Sequence, residues 1–265
     1  MTIPELLSDT APALRVPQPQ RIMVVADRFA GFTHGDRVQT VSGMASQIDK
    51  GRFDDAPGDV RLLTGQGVGA FERAYVEAAI ARHGLTDRIR FDGEDIEPLG
   101  RDVVHKHDVD NVLLARLRRT GAHVYAADIR VHGHNEMLAD HQSGEHVQGM
   151  VIVEAARQLF LAAFESGYRD RWPLTNFYLV WNSVRLTFDN FLFPVPAQIT
   201  CTVRELSIDK PDRQLDFELE LELVQGGKRV AHGEIGFSAF NNEKIAVMER
   251  RKAEKAAKVH LGGLE

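Results

Sequence analysis

Hydrophobic and polar positions change their period twice along this chain. The first twenty or so residues hold Pro4, Pro12, Pro17 and Pro19, show little periodicity and are expected to form an extended arm. Ile22 to Ala26 is then a short unbroken apolar run, as in a strand buried on both faces. Val38 to Ile48 follows with helical spacing, Val60 to Leu63 is a second short strand, Ala70 to His83 is strongly helical, and Arg88 to Phe91 reads as a third strand. Strands alternating with helices predict a small α/β unit with a parallel sheet, because crossover helices cover both faces of such a sheet.

The acidic segment Asp92 to Pro98 contains a turn pair and a proline, which predicts a linker and a boundary near residue 95. Beyond it the pattern predicts a short strand at Val103-Val104-His105, a one- or two-turn helix over Asp110 to Ala115 and a strand from His123 to Val131. A long apolar helix runs from His146 to Ser166, with Gly167 placed as its stop. Period two then takes over. Tyr178, Val180, Asn182, Val184, Leu186 and Phe188 alternate with Leu179, Trp181, Ser183, Arg185 and Thr187, and Ile199, Cys201 and Val203 continue the theme. Leu215, Phe217, Leu219, Leu221 and Leu223 alternate with Asp216, Glu218, Glu220 and Glu222, the signature of a sheet with one buried and one wet face. Gln225-Gly226-Gly227-Lys228 predicts a tight hairpin into a last strand, Val230 to Phe240.

One apolar helix, two short strands before it and four long strands after it predict an antiparallel sheet wrapped around a single helix, the hotdog arrangement. The expected fold class is therefore α+β, a single hotdog preceded by a small α/β unit. The expected division is 1–20 (arm), 21–95 (α/β unit), 96–242 (hotdog) and 243–265 (charged tail at helical spacing). A sheet of this kind covers only one side of its helix, so a homodimer is expected.

Composition narrows the function. The chain has 265 residues, 43% hydrophobic and 26% charged, with a net charge of −6, which argues against general binding to nucleic acid or to a membrane surface. Cys201 is the sole cysteine, so no intramolecular disulfide forms, and with no signal-peptide pattern or membrane-spanning run the expected location is cytoplasmic. Cys201 alternates with buried residues and reads as a small apolar side chain. Gly65-Gln66-Gly67-Val68-Gly69 lies between a strand and a helix but lacks the dinucleotide spacing and the phosphate-loop Lys-Ser/Thr pair. It is expected to be a flexible turn, and no cofactor is expected.

The candidate chemistry concentrates on the apolar helix. Glu154, Arg157 and Gln158 stand at i, i+3 and i+4 and share one face. The residues allow an internal ion pair that fixes packing, or a catalytic carboxylate. His141 and His146 fall at the helix mouth, where a neutral imidazole can face a cleft and backbone amides near Gly149 and Met150 can polarise a carbonyl oxygen. Gly149 lets a thin ligand approach the backbone. Asn182, mid-strand opposite the helix, is a candidate polar anchor in that cleft, Trp181 a core residue, and His105 with Lys106 a candidate substrate contact. His123, His132 and His134 are expected to face solvent, with no metal.

The string His141-x-x-Gly144 followed by Gly149-Met-Val-Ile-Val-Glu154-Ala resembles the active-site helix of β-hydroxyacyl-carrier-protein dehydratases, in which a His and a Glu form the catalytic pair across a dimer interface. Here Gln142-Ser143 and Gln148 replace that family's aromatic and prolines. A closer resemblance is to the A-factor biosynthesis (AfsA-like) hotdog family. It rests on Val104-His105-Lys106 with Asn111-Val-Leu-Leu114, on Asp140-His141 and Glu145-His146, and on Val147-x-Gly149-Met150-x-x-x-Glu154-Ala-x-Arg157-Gln158. It covers roughly residues 98 to 240, a single hotdog where typical members carry two in tandem. The resemblance implies an acyltransferase passing a β-ketoacyl group from an acyl carrier protein, or from a coenzyme A thioester, to the hydroxyl of a small phosphorylated acceptor, as in butyrolactone signal biosynthesis. Glu154 would then be the base, assisted by His146 or His141, with Arg157 orienting it or gripping a phosphate, and with Gln158 beside the substrate. Dehydration and thioester hydrolysis use the same parts, and a non-catalytic acyl-binding module is the alternative of a different class.

Overall fold

The computed structural model describes residues 19–55, 58–139, 143–210 and 213–262, so the expected arm lies outside the described residues. Strands β1 (Gln20–Val25), β2 (Val38–Thr40), β3 (Val60–Thr64) and β4 (Ile89–Phe91) form a parallel sheet in the order β2-β1-β3-β4. Helices α1 (Val41–Asp49) and α2 (Ala70–Arg82) make the crossovers, burying Met44, Ile48, Val76 and Ile80 against Ile22, Val24 and Leu62. The helical period from Val38 overran its start by three residues. Val38 to Thr40 pair with β1, and the Thr40 hydroxyl accepts from the Gly43 amide at 3.0 Å to cap α1.

A second sheet is antiparallel: β5 (Leu114–Gly121), β6 (Val124–Ile129), β7 (Phe177–Phe188), β8 (Gln198–Lys210), β9 (Gln214–Gln225) and β10 (Lys228–Asn241), ordered β5-β6-β8-β9-β10-β7. It wraps around α3 (Gly149–Gly167), which is the hotdog fold. Phe160 and Phe164 from α3 pack on Phe217 and Phe237 from the inner face, with ring centroids 4.5–6.4 Å apart. Phe160 also packs on Trp181. These rings fill the space between helix and sheet. Gly226 (φ 56°) and Gly227 (φ 74°) make the expected hairpin turn. Cys201 is fully buried, and burial pushes its thiol up to about 12. The charged C-terminal segment is helix α4 (Asn242–Gly262), largely exposed. No helix among the described residues is long and apolar enough to cross a membrane.

Three local expectations are corrected. Val103-Val104-His105 is a turn, with the Lys106 amide donating to the Arg101 carbonyl at 2.8 Å and His105 at φ 52°, a left-handed value that interrupts an extended backbone. The helix expected over Asp110 to Ala115 is a single 3-10 turn, Val109–Asn111, and the chain is extended by Leu114. The buried Gln158 side chain takes the Leu113 amide and the Asn111 carbonyl, groups that a longer helix would have used itself. Gly167 is the last residue of α3 rather than a left-handed stop. A Cβ there would lie 1.8 Å from the Tyr125 hydroxyl, so close approach is what requires glycine.

The glycine segment after β3 is a dock. The Gln66 side chain is buried, donating to the carbonyls of Ile129 (3.1 Å) and Val195 (3.3 Å) and accepting from the Val131 amide (2.7 Å). Its own amide donates to the Pro194 carbonyl at 2.9 Å. Gly67 has φ 78°, and a Cβ there would sit 2.4 Å from the Ala26 Cβ. Val25, Ala26 and Phe29 consequently join the hotdog core. Gln66→Leu strands buried backbone groups that each cost about 1–3 kcal/mol. We expect it to lower stability by about 2–4 kcal/mol and to speed proteolysis near residues 92–98, measured by urea titration and limited digestion.

Candidate active site

Helix α3 begins without a side-chain cap, since Gln148 supplies none; the Val151 amide donates to the Gln148 carbonyl at 3.1 Å, and the Gly149 and Met150 amides come before any intrahelical acceptor. The Val147 amide donates to the Leu192 carbonyl at 2.7 Å, which holds residue 147 extended and starts the helix at Gly149 instead of His146. The preceding loop rests on the α/β unit. A Cβ on Gly31 would meet the Ser143 carbonyl oxygen at 2.6 Å, and one on Gly144 would meet the Arg28 carbonyl oxygen at 2.8 Å. His146 packs at a tilt against Phe191 with ring centroids 4.7 Å apart, and its Nδ1 lies 3.4 Å from the Ser143 hydroxyl. His141 lies outside the described residues. Met150 is exposed, and Gly149 leaves room for the Phe188 ring, which a Cβ would meet at 3.4 Å.

Further along α3, Glu154 accepts from Arg157 Nε (2.8 Å) and Nη2 (3.0 Å), from Gln158 Nε2 (3.1 Å) and from Lys106 Nζ (2.7 Å). Burial alone would push its carboxyl up, but the hydrogen bonds from Arg157, Lys106 and Gln158 outweigh burial and hold it below its ordinary value. The Glu154 side chain is 16% exposed, Lys106 23% and Arg157 31%, so the two cations face outward around a shielded anion. About three turns further along α3, Glu165 pairs with His105 (3.0 Å) and Arg169 (2.6 Å), and these bonds likewise overcome burial and lower its carboxyl.

The expected residues therefore separate. Glu154, Arg157 and Gln158 come together, with Gln158 turned toward backbone as well as toward Glu154. His105 pairs with Glu165, and Lys106, its neighbour in sequence, completes the Glu154 cluster. His146, Gly149 and Met150 sit at the helix mouth. Asn182 is corrected: it is the bulge residue of β7 and donates to the Ser238 hydroxyl at 2.7 Å. Ser238 alternates with the inward Phe237 and Ala239 and bonds Asp216, so Asn182 lies on the sheet face away from α3. A bulge breaks the alternation from which its direction was read. His132 and His134, expected in solvent, converge on Asp110 and are the described residues that could hold a metal.

A family model for the AfsA A-factor biosynthesis hotdog domain matches residues 88–241. No curated protein matches the chain. Among solved structures, a mutant of thioesterase PA1618 from Pseudomonas aeruginosa is 13% identical, covering 51% of this chain and 86% of its own, with a TM-score of 0.39. The dehydratase heterocomplex ApeI:P from Xenorhabdus doucetiae is 15% identical over 54% of this chain and 91% of its own, at 0.43. AziG from S. sahachiroi is 18% identical over 48% and 91%, at 0.34.

The lowered Glu154 carboxyl has a consequence for stability. A depressed folded-state value means a contribution that is present above the unfolded carboxylate pKa, about 4.3, and is lost as pH falls through the folded value. Glu154→Gln is expected to cost about 1–3 kcal/mol at pH 7 by leaving Lys106 and Arg157 without their anion. The deficit relative to wild type should shrink toward pH 3 in urea titrations.

Proposed function

Because the chain belongs to the AfsA family of A-factor biosynthesis hotdog domains, we propose that it transfers a β-ketoacyl group from a carrier-protein or coenzyme A thioester to the hydroxyl of a small phosphorylated acceptor. The observation that carries this reading is the state of Glu154, an anion held by Arg157, Lys106 and Gln158. Dehydration of a β-hydroxyacyl thioester needs an acid to protonate the leaving hydroxyl, and a carboxyl held below its ordinary value is ionised at neutral pH. Acyl transfer has no such demand on Glu154. It needs a base for the alcohol, donors for an oxyanion and a grip on the acceptor.

The parts fit as follows. Arg157 and Lys106, pre-oriented by Glu154 and partly open to solvent, form a cationic seat for the acceptor phosphate. His146 at the helix mouth takes the proton of the attacking hydroxyl. The hydroxyl oxygen bonds the thioester carbonyl carbon, the oxyanion is met by first-turn amides of α3 near Gly149 and Met150, and the carbon–sulfur bond breaks. The departing thiolate recovers the proton from His146. Glu154 is thus a positioning residue, a change from the base that the sequence suggested, because three donors already occupy its lone pairs.

The packed aromatic interior leaves the acyl chain to lie outside the α3–sheet core, along the partly open face of α3. A second copy would cover that face. Among the described residues β7 ends the sheet with a 12-residue edge, and Val184 (45%) and Phe188 (50%) on it are exposed. We expect light scattering to give twice 29.6 kDa, and Val184→Lys to give the monomer.

The test of the activity is mass spectrometry of β-ketoacyl and β-hydroxyacyl carrier-protein thioesters incubated with and without a phosphorylated triose. Acyl loss only with the triose is expected. Loss of water would assign dehydration, acyl loss regardless of the triose would assign hydrolysis, and intact thioesters throughout would sink the enzyme reading. Arg157→Lys should raise the acceptor KM about 10- to 100-fold, since a charge-assisted bond is worth ~1.5–3 kcal/mol, with a smaller effect on the thioester KM.

A further inference from the structure

Where the ends of β1 and β3 meet the hotdog, Asp110, His132 and His134 place one ligand atom each within 4.8 Å of one another. They share no residue with the Glu154 cluster. We propose that they form a site for a divalent transition metal of the zinc class, with a coordination position left open.

Two observations carry this. The first is spacing. His132 Nδ1 lies 3.2 Å from Asp110 Oδ1. Zinc binds imidazole nitrogen at ~2.0–2.1 Å and carboxylate oxygen at ~2.0–2.2 Å, so two such ligands in a tetrahedron stand ~3.3–3.5 Å apart. The third ligand, His134, meets the His132 ring edge to face with centroids 5.5 Å apart and is exposed, free to swing the last distance.

The second is the surroundings. Asp110 is fixed on both sides, its amide donating to Asp108 Oδ1 at 2.9 Å and its carbonyl accepting from the buried Asn135 side chain at 3.0 Å. Glu72 lines the cleft that His134 lines and brings a second carboxylate near the site. Two imidazoles with one carboxylate suit zinc, cobalt, nickel or iron rather than magnesium or calcium. The open position has access, because His132 lines a cleft of about 340 Å³ with Arg130 and the Gly65 to Gly69 turn, and His134 lines a second of about 450 Å³ with Phe71 and Tyr75. A metal-bound water there would face small ligands held between the two units.

The experiment is a Co²⁺ titration of the full-length protein carrying no affinity tag, read by visible absorption and followed by Zn²⁺ displacement. One equivalent per chain, with the intense spectrum of four- or five-coordinate cobalt, is expected. His134→Ala, an exposed change that leaves the core untouched, and Asp110→Asn should each weaken binding by more than about tenfold, with unchanged far-ultraviolet dichroism. Only the pale spectrum of hydrated cobalt would overturn the site and leave an ordinary His132–Asp110 hydrogen bond. Equal affinity in His134→Ala would overturn it too. Both readouts are independent of thioester chemistry, so this site and the proposed transfer stand or fall separately.

Discussion

A helix buried on nearly every side cannot be located by its apolar surface alone, because apolar contact has no direction. In α3 that direction comes from polar residues meeting one crossing segment, residues 105–113. Gln158 takes the Leu113 amide and the Asn111 carbonyl, Glu154 takes Lys106, and Glu165 takes His105. The three contacts run along one stripe of the helix and fix both its rotation and its height against the strands that follow. Unpairing any of these buried groups is costly, so the stripe defines a single arrangement where hydrophobic packing alone would permit several. The same stripe presents Arg157 and Lys106 to solvent. Structure and chemistry are therefore not assigned to different residues here. The groups that fasten the helix are the ones that shape its open face.

The α/β unit acts on that face indirectly. Backbone close approaches at Gly31 and Gly144 seat the loop carrying Ser143 and His146, and Phe32 stacks on Phe193 at 5.6 Å to hold the neighbouring segment. Gln66 supplies the polar register for this docking as Gln158 does for α3. Both are buried amides spanning backbone groups of a distant segment, and in both cases one planar side chain serves as donor and acceptor at once. The β2-β1-β3-β4 order reverses between β1 and β3, and the two clefts open beside that reversal, where parallel sheets commonly receive ligands.

Much of this architecture was legible in the residues. Period two in β7 and β9, the paired glycines of the hairpin and the alternation of strand and helix before residue 91 report local physics, and the elements formed where those signals stood. Glu154, Arg157 and Gln158 were legible as a face because helical spacing is local as well. What escaped was decided by partners far along the chain. The strand expected at Val103 and the helix expected at Asp110 were lost to side chains of α3 some 45 to 60 residues away. Asn182 was misdirected by one bulge. His132 and His134 looked unsupported because the carboxylate near them, Asp110, is 22 and 24 residues upstream, in the 3-10 turn.

Cys201 lies on the inner face of β8, fully buried, with its thiol pushed up to about 12. At neutral pH it carries almost no thiolate, and no reagent reaches it while the sheet is closed on α3. The chain thus holds one nucleophile whose chemistry is silent in the native state and returns to that of a free thiol when the sheet opens. Alkylation at this atom becomes a clock for hotdog opening alone, and binding of any ligand that stabilises the closed sheet would be written into the rate at which a single sulfur is labelled.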